Sequence, residues 1–193
     1  DRVAYASPPV GAYAETRLIA ADRVVALPDA IDDRTAAAMM LKGMTADYLL
    51  CRTFEVRPGQ TILFHAAAGG VGLIAGQWAK SIGATVIGTA RGDEKAALAK
   101  ANGYDHVIDN SREDLVARVK EIAGGKGVDV VYDSIGKDTW EKSLDCLKPR
   151  GMFVTFGQSS GPIEGFTLAH LASRGSLFAT RPSLFAYIAT RAD

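Results

Sequence analysis

An α/β fold built on a doubly wound parallel sheet is the class this sequence predicts, and three observations carry the prediction. From Thr61 onward, short apolar runs alternate strictly with segments of helical apolar spacing. The first of these runs enters a glycine-rich turn, Ala67-Ala68-Gly69-Gly70-Val71-Gly72, which opens directly into a helical pattern. The alternation then continues through five strand–helix repeats to a sixth strand, the pattern of a parallel sheet with right-handed crossovers.

The elements follow in order. Residues 1–30 are rich in strand formers, with candidate strands at Val3–Tyr5, Ala12–Ile19 and Val24–Leu27 broken by Pro8-Pro9, Gly11 and Pro28. They are too few for a core of their own, so this segment reads as part of a second, mostly missing β-rich domain. The opening Asp1-Arg2-Val3 looks like mid-strand sequence, and a piece of a longer protein is expected. Asp32-Asp33 can cap connecting helices within residues 31–60, and Gly43 is expected to divide them. Strands are expected at 61–66, 84–89, 105–108, 128–133, 151–156 and 176–180, and helices at 71–82, 94–102, 112–123, 138–147 and 166–174. Ser111-x-x-Asp114 reads as a capping box, and Gly103, Gly124-Gly125 and Gly151 stand where helices should stop. Residues 61–193 thus form the expected cofactor-binding domain.

Lysine plus arginine and aspartate plus glutamate both number 22, so no basic excess points to nucleic acid. No apolar stretch is long enough to span a bilayer, and no leader pattern opens the chain. Cys51 and Cys146 lie in apolar helical surroundings without metal-ligand spacing, and buried reduced thiols in a cytoplasmic protein are expected.

Strand, glycine turn and helix form a dinucleotide-binding (Rossmann) fingerprint, with Ala67, Gly69 and Gly72 at its three glycine positions. A residue without Cβ at Gly69 lets backbone approach a pyrophosphate, Gly72 allows close helix–strand packing, and the helix N-terminus supplies free N–H groups. The second strand ends without an acid for a ribose 2′-hydroxyl. Arg91 and Lys95 flank its turn and suit a 2′-phosphate, hence NADPH. Asp93 and Glu94 fit the first turn of a helix better than a ribose contact. The loops Asp133-Ser134-Ile135-Gly136 and Phe156-Gly157-Gln158-Ser159-Ser160-Gly161 end the fourth and fifth strands, at the edge where the nicotinamide half should lie. Ser159-Ser160 lacks a partner base and a nucleophile elbow, which excludes hydrolase chemistry.

The strings Phe64-His65-Ala66-Ala67-Ala68-Gly69-Gly70-Val71-Gly72, Val131 to Glu141, Ser143-Leu144-Asp145-Cys146-Leu147 and Thr180-Arg181-Pro182-Ser183-Leu184 resemble the zinc-independent quinone oxidoreductases. These form the zeta-crystallin-like branch of the medium-chain dehydrogenase/reductase superfamily, and the resemblance is strongest to its bacterial NADPH:quinone oxidoreductases. It implies a longer subunit, with a GroES-like catalytic domain before Asp1 and a final segment after Asp193. It also implies that Lys42, Gly43, Thr45 and Tyr48 lie beside the nicotinamide and phosphates. Gly70 and Val71 would touch the pyrophosphate, Arg91 and Lys95 the 2′-phosphate, Phe156, Gly157, Gln158 and Ser159 the nicotinamide, and Pro182, Ser183 and Leu184 the entrance. Asn110 stands where the family carries a tyrosine near the adenosine phosphate, and Arg91 is the expected compensation.

The implied activity is NADPH-dependent reduction of a quinone or related conjugated carbonyl, with Tyr48 or Lys42 polarising the carbonyl. Reduction of enone or alkenal double bonds is the alternative within the fold, and a non-catalytic, crystallin-like NADPH-binding protein the alternative outside enzymology. No zinc is expected, because Met40 to Thr45 offers no thiol or imidazole and His65, His106 and His170 lie on separate elements. A homodimer through the edge strand at 176–180 is the implied assembly.

Overall fold

The computed structural model describes residues 1–6 and 8–190, so the last three residues of the expected 61–193 domain lie outside it. Six parallel strands form the central sheet: β3 (Thr61–Phe64), β4 (Thr85–Ala90), β5 (His106–Asp109), β6 (Val128–Asp133), β7 (Leu147–Thr155) and β8 (Phe178–Thr180). Their order is β5-β4-β3-β6-β7-β8, which reverses direction of growth beside β3. In a doubly wound sheet that reversal opens the crevice where a ligand binds. The crossovers carry α2 (Gly70–Ile82), α3 (Asp93–Ala101), α4 (Leu115–Ile122), α5 (Trp140–Asp145) and α6 (Leu168–Ser173).

The period of two along each strand divides the apolar residues between two cores. Ile62, Phe64, Val86, Val130, Tyr132 and Val154 face one side, against Ala75 and Ala79 of α2. Leu63, Ile87, Val131 and Phe153 face the other, against Leu115, Val119, Trp140 and Leu144. Both faces are covered, as a parallel sheet requires.

Outside the sheet, β1 (Val3–Ala4) and β2 (Val25–Ala26) pair antiparallel, and α1 (Asp33–Asp47) runs from a cap in which the Asp32 side chain accepts Thr35 N–H at 2.7 Å. A π-helical turn, Tyr48–Thr53, continues α1. The Tyr132 hydroxyl at the centre of the sheet donates to Leu49 O at 3.1 Å, which moors this turn to β6. A last short helix, α7 (Leu184–Tyr187), brings Tyr187 onto Tyr48, with ring centroids 4.7 Å apart.

Several expectations are corrected. Residues 12–19 form no strand: Tyr13 and Leu18 lie fully in solvent, and no strand among the described residues pairs with the segment. Gly43 does not divide α1; the irregularity comes at Tyr48, where the helix widens. Ser111 caps no helix. Its hydroxyl donates to Asp109 at 2.6 Å, and Asp114 caps α4 by accepting Ala117 N–H at 2.8 Å. Gly151 lies inside β7, after Arg150 takes the left-handed turn (φ 62°) at a break in the β6–β7 register. Cys51 is exposed, although Cys146 is buried as expected. Leu177 precedes β8 and turns into the core, so it does not stand on the sheet edge; Phe178 does, exposed.

Candidate functional site

The glycine turn is held by backbone and by one tyrosine. After β3 the chain passes through Ala66 in the left-handed region (φ 54°), whose N–H meets Thr89 Oγ1 at 3.3 Å. Ala67 N–H then donates to Thr89 O at 2.9 Å, and Gly69 N–H to Ala66 O at 2.8 Å. A Cβ on Gly72 would stand 2.5 Å from Ala67 O and 2.6 Å from Ala66 O, so only glycine lets α2 start this close to the strand. The Tyr104 hydroxyl donates to Gly72 O at 2.8 Å, and its ring fills the space that Gly76 and Gly88 leave open. Burial pushes the phenol far above its ordinary range, so it remains a donor.

No side chain caps α2, and Ala66, Gly69 and Gly70 are exposed. Its first N–H groups therefore face outward with the positive end of the helix dipole, a ready anion site. Lys42 of α1 crosses this end: a Cβ built on Gly70 would lie 2.7 Å from Lys42 Cδ and Cε and 3.2 Å from Nζ. The geometry thus puts a primary amine over the turn and suits Lys42 to phosphate binding.

At the tip of β4, Ala90 is in register with Asp109, the last residue of β5. The Asp109 carboxylate accepts Ser111 Oγ–H at 2.6 Å, Ser111 N–H at 3.0 Å and Gly92 N–H at 3.0 Å. These bonds, led by the Ser111 hydroxyl and aided by Arg112, lower its pKa to about 2. Arg112 sits between Asp109 (Nε–Oδ2 3.5 Å) and Asp93 (Nη1–Oδ1 2.9 Å). Arg91 and Lys95 are exposed on the same turn and helix start, without an acidic partner among the described residues, and Asn110 is exposed in the next turn.

The expected nicotinamide-side loops come together. Phe156 N–H donates to Asp133 O at 2.8 Å and Ser159 N–H to Ser134 O at 3.2 Å, while Gly157 lies so close to Ser134 that a Cβ would meet its carbonyl oxygen at 2.6 Å. Beneath them runs a fully buried polar chain. His65 Nδ1 is 3.1 Å from Thr89 Oγ1 and Nε2 is 2.9 Å from Ser143 Oγ. Ser143 donates to Asp133 Oδ2 at 2.9 Å, so its oxygen accepts from His65 Nε2–H, and the Thr89 hydroxyl donates to Nδ1. Asp133 also accepts Thr139 Oγ1–H at 2.7 Å, Ile135 N–H at 2.7 Å and Gly136 N–H at 3.1 Å. Burial lowers the His65 pKa despite Asp133 nearby, which keeps the ring neutral. The sequence alone assigns no role to Tyr104, Thr89, Ser143 or Thr139. The glycines facing Tyr104 were the one signal for it.

The remaining residues stand apart. Thr45 is buried and spends its hydroxyl on Leu41 O at 2.7 Å. Tyr48 is buried against Tyr187 on the wall of a cavity of about 440 Å³ shared with Gly43, Met44 and Trp78; burial raises its pKa and keeps it protonated. A second cavity, about 390 Å³, is lined by Gly157, Gln158, Thr180 and Arg181. Pro182 and Leu184 are buried, and Ser183, exposed, immediately precedes α7. Neither of these cavities is lined by the glycine turn, which is exposed at Ala66, Gly69 and Gly70.

Among the described residues, no three His, Cys, Asp or Glu side chains gather where they could hold an ion. Nor, among the described residues, is any helix long and apolar enough to cross a membrane.

Comparison with known proteins agrees with this geometry. A family model described as zinc-binding dehydrogenase matches residues 70–188. The quinone oxidoreductase of Pseudomonas aeruginosa is 56% identical over 190 residues, which cover 98% of this chain and 58% of that protein. The 2-haloacrylate reductase of a Burkholderia species is 50% identical, over all of this chain and 59% of its own length. The crystal structure of Escherichia coli quinone oxidoreductase complexed with NADPH superposes with a TM-score of 0.97 at 55% identity, covering 100% of this chain and 59% of that one. The chain therefore spans a little under three fifths of the relatives it matches. It belongs to the zinc-binding dehydrogenase family of the medium-chain dehydrogenase/reductase superfamily, and its similarity is to the quinone oxidoreductase members.

Proposed function

We propose that the protein binds NADPH and serves the zinc-independent reduction of a quinone or related conjugated carbonyl. The observation that carries the reading is Lys42 lying over an uncapped, glycine-lined helix N-terminus, in a chain 55% identical to a quinone oxidoreductase crystallised with NADPH. In this reading residues 31–60 connect a catalytic domain, to which 1–30 belong, with the NADPH domain at 61–193. NADPH, when bound, supplies the hydride.

The chain's own residues bind and orient. Gly69, Gly70, Val71 and Gly72 offer backbone to the pyrophosphate, Ala67 fixes the turn behind them, and Lys42 adds its charge. Arg91 and Lys95 meet the 2′-phosphate, with Asn110 in the neighbouring turn. Ser134, Phe156, Gly157, Gln158 and Ser159 form the wall against which the nicotinamide is aligned, and exclude water from it. Thr45 holds the helix that carries Lys42. Tyr48, kept protonated by burial, is the donor available to a substrate carbonyl, and Pro182, Ser183 and Leu184 border the entrance. A cytoplasmic homodimer joined through β8 completes the reading; exposed Phe178 on that edge strand supports it.

The 2-haloacrylate reductase relative favours a second reading, reduction of an activated carbon–carbon double bond. Calorimetric titration with NADPH and NADH, followed by NADPH oxidation with a panel of quinones and of enones, decides. Binding of NADPH with turnover of quinones supports the first reading, and turnover of enones alone supports the second. Failure to bind NADPH would sink both.

A further inference from the structure

We propose that Arg112 sets the preference for NADPH over NADH by neutralising two carboxylates at the adenosine-ribose edge, Asp93 and Asp109, and so leaving Arg91 and Lys95 free for the 2′-phosphate. The proposal rests on the reading of the glycine turn as an NADPH site.

An acid at the tip of the second strand of a dinucleotide fold takes the ribose 2′-hydroxyl of NADH and repels the extra phosphate of NADPH. β4 carries no acid at its own tip, yet two acids that Arg112 reaches stand beside it, and Glu94 follows Asp93 on α3. Asp109 is brought there by the neighbouring strand, in register with Ala90. Asp93 opens α3, one residue beyond Gly92, whose backbone is left-handed (φ 85°) and whose N–H is taken by Asp109. Left alone, these two charges would make the edge acidic.

Both are spoken for. Asp109 has both oxygens occupied, Oδ1 by the Ser111 N–H and hydroxyl and Oδ2 by Gly92 N–H and the Arg112 side of the turn. Asp93, with its side chain 89% exposed, has one cationic partner among the described residues, Arg112 at 2.9 Å. Arg112 is therefore spent on the acids, while Arg91 and Lys95 carry no acidic partner among the described residues. The bridge joins the end of β5 to the start of α3, so it neutralises the edge without occupying either free cation. The division of labour is specific: one arginine cancels, an arginine and a lysine bind.

The test is the ratio of NADPH to NADH dissociation constants, measured by calorimetry on the full chain, for the wild type, Arg112→Gln, Arg112→Gln with Asp93→Asn, and Arg91→Ala. These are exposed positions, and thermal melts check that each variant folds. Arg112→Gln should lower the NADPH preference roughly fivefold, the size of one uncompensated exposed charge facing a phosphate. Adding Asp93→Asn should restore most of it, because the repelling charge has gone. An unchanged ratio in Arg112→Gln overturns the proposal while leaving the cofactor reading intact if Arg91→Ala still weakens NADPH. A loss that Asp93→Asn does not restore overturns it too, since Arg112 would then meet the phosphate directly. A wild type without NADPH preference removes the cofactor reading and the proposal with it.

Discussion

Gly72→Ala and Gly70→Ala make the same change two residues apart on α2 and should give opposite results. A methyl on Gly72 would meet three backbone atoms, Ala67 O, Ala66 O and Ala67 C, at 2.5, 2.6 and 2.8 Å, nearer than a real Cβ approaches anything. Backbone cannot swing aside, and Tyr104 holds Gly72 from the other side through its hydroxyl. Overpacking of this kind costs about 1–3 kcal/mol or more, while alanine over glycine in a helix returns up to about 1 kcal/mol. With three simultaneous backbone contacts the cost lies at the upper end, and the net loss should be about 2 kcal/mol. A methyl on Gly70 meets only the Lys42 side chain, at 2.7 Å from Cδ and Cε, and that flexible end can move. Gly70→Ala should therefore stay within about 0.5 kcal/mol of the parent, as surface changes usually do. Thermal melting of the cofactor-free protein reads the difference. A loss of 2 kcal/mol lowers Tm by about 4–8 °C in a chain of this size. The same Gly70→Ala protein should bind NADPH more weakly, because Lys42 is displaced from the phosphate position. Equal melting of the two variants would refute the claim that the turn is closed by backbone contact at Gly72.

Tyr104→Phe removes a buried hydroxyl and leaves Gly72 O without that donor; a loss of about 1 kcal/mol by urea denaturation is expected. Ser143→Ala leaves His65 Nε2–H unpaired and takes one of four donors from Asp133, both fully buried, so about 2–3 kcal/mol should go, measured in the same way. Asp109 has its carboxyl pKa depressed from 3.8 to about 2, so its contribution to stability is whole above roughly pH 4 and is lost as pH falls toward 2. The stability difference between the parent and Asp109→Asn should accordingly shrink across that window in pH-dependent melts. His65 is held neutral by burial, so its folded pKa lies below the unfolded value; stability should fall as pH drops below about 6.5, and His65→Gln should flatten that slope.

The sheet was legible because its physics is local. Strands buried on both faces write themselves as apolar runs, and glycine and proline punctuate them, so Val128–Asp133 matches its expected span and β8 falls at the edge. Where pairing decides, the sequence was mute or misleading. Residues 12–19 are rich in strand formers and form no strand, for want of a neighbouring strand among the described residues. The site divides in the same way. Gly72 declares itself by position, whereas Asp109 reaches the tip of β4 only through sheet register, and the hydrogen bonds that link Asp133 to His65 run through Ser143 on α5. Lys42 was suggested by resemblance; its place over Gly70 needed the packing of α1 on α2.

The π-helical turn after α1 gives that packing a phase. Leu49 O is fixed to β6 by the Tyr132 hydroxyl, and Lys42 lies seven positions upstream on one continuous helical thread. Its azimuth toward Gly70 is thus counted from the sheet. Each residue inserted or deleted between Lys42 and Leu49 would rotate the amine by about 100° around the helix and carry it off the phosphate. Length changes in residues 54–60, beyond the mooring, leave that angle untouched. The stretch from 42 to 49 therefore tolerates substitution far better than it tolerates a change in number.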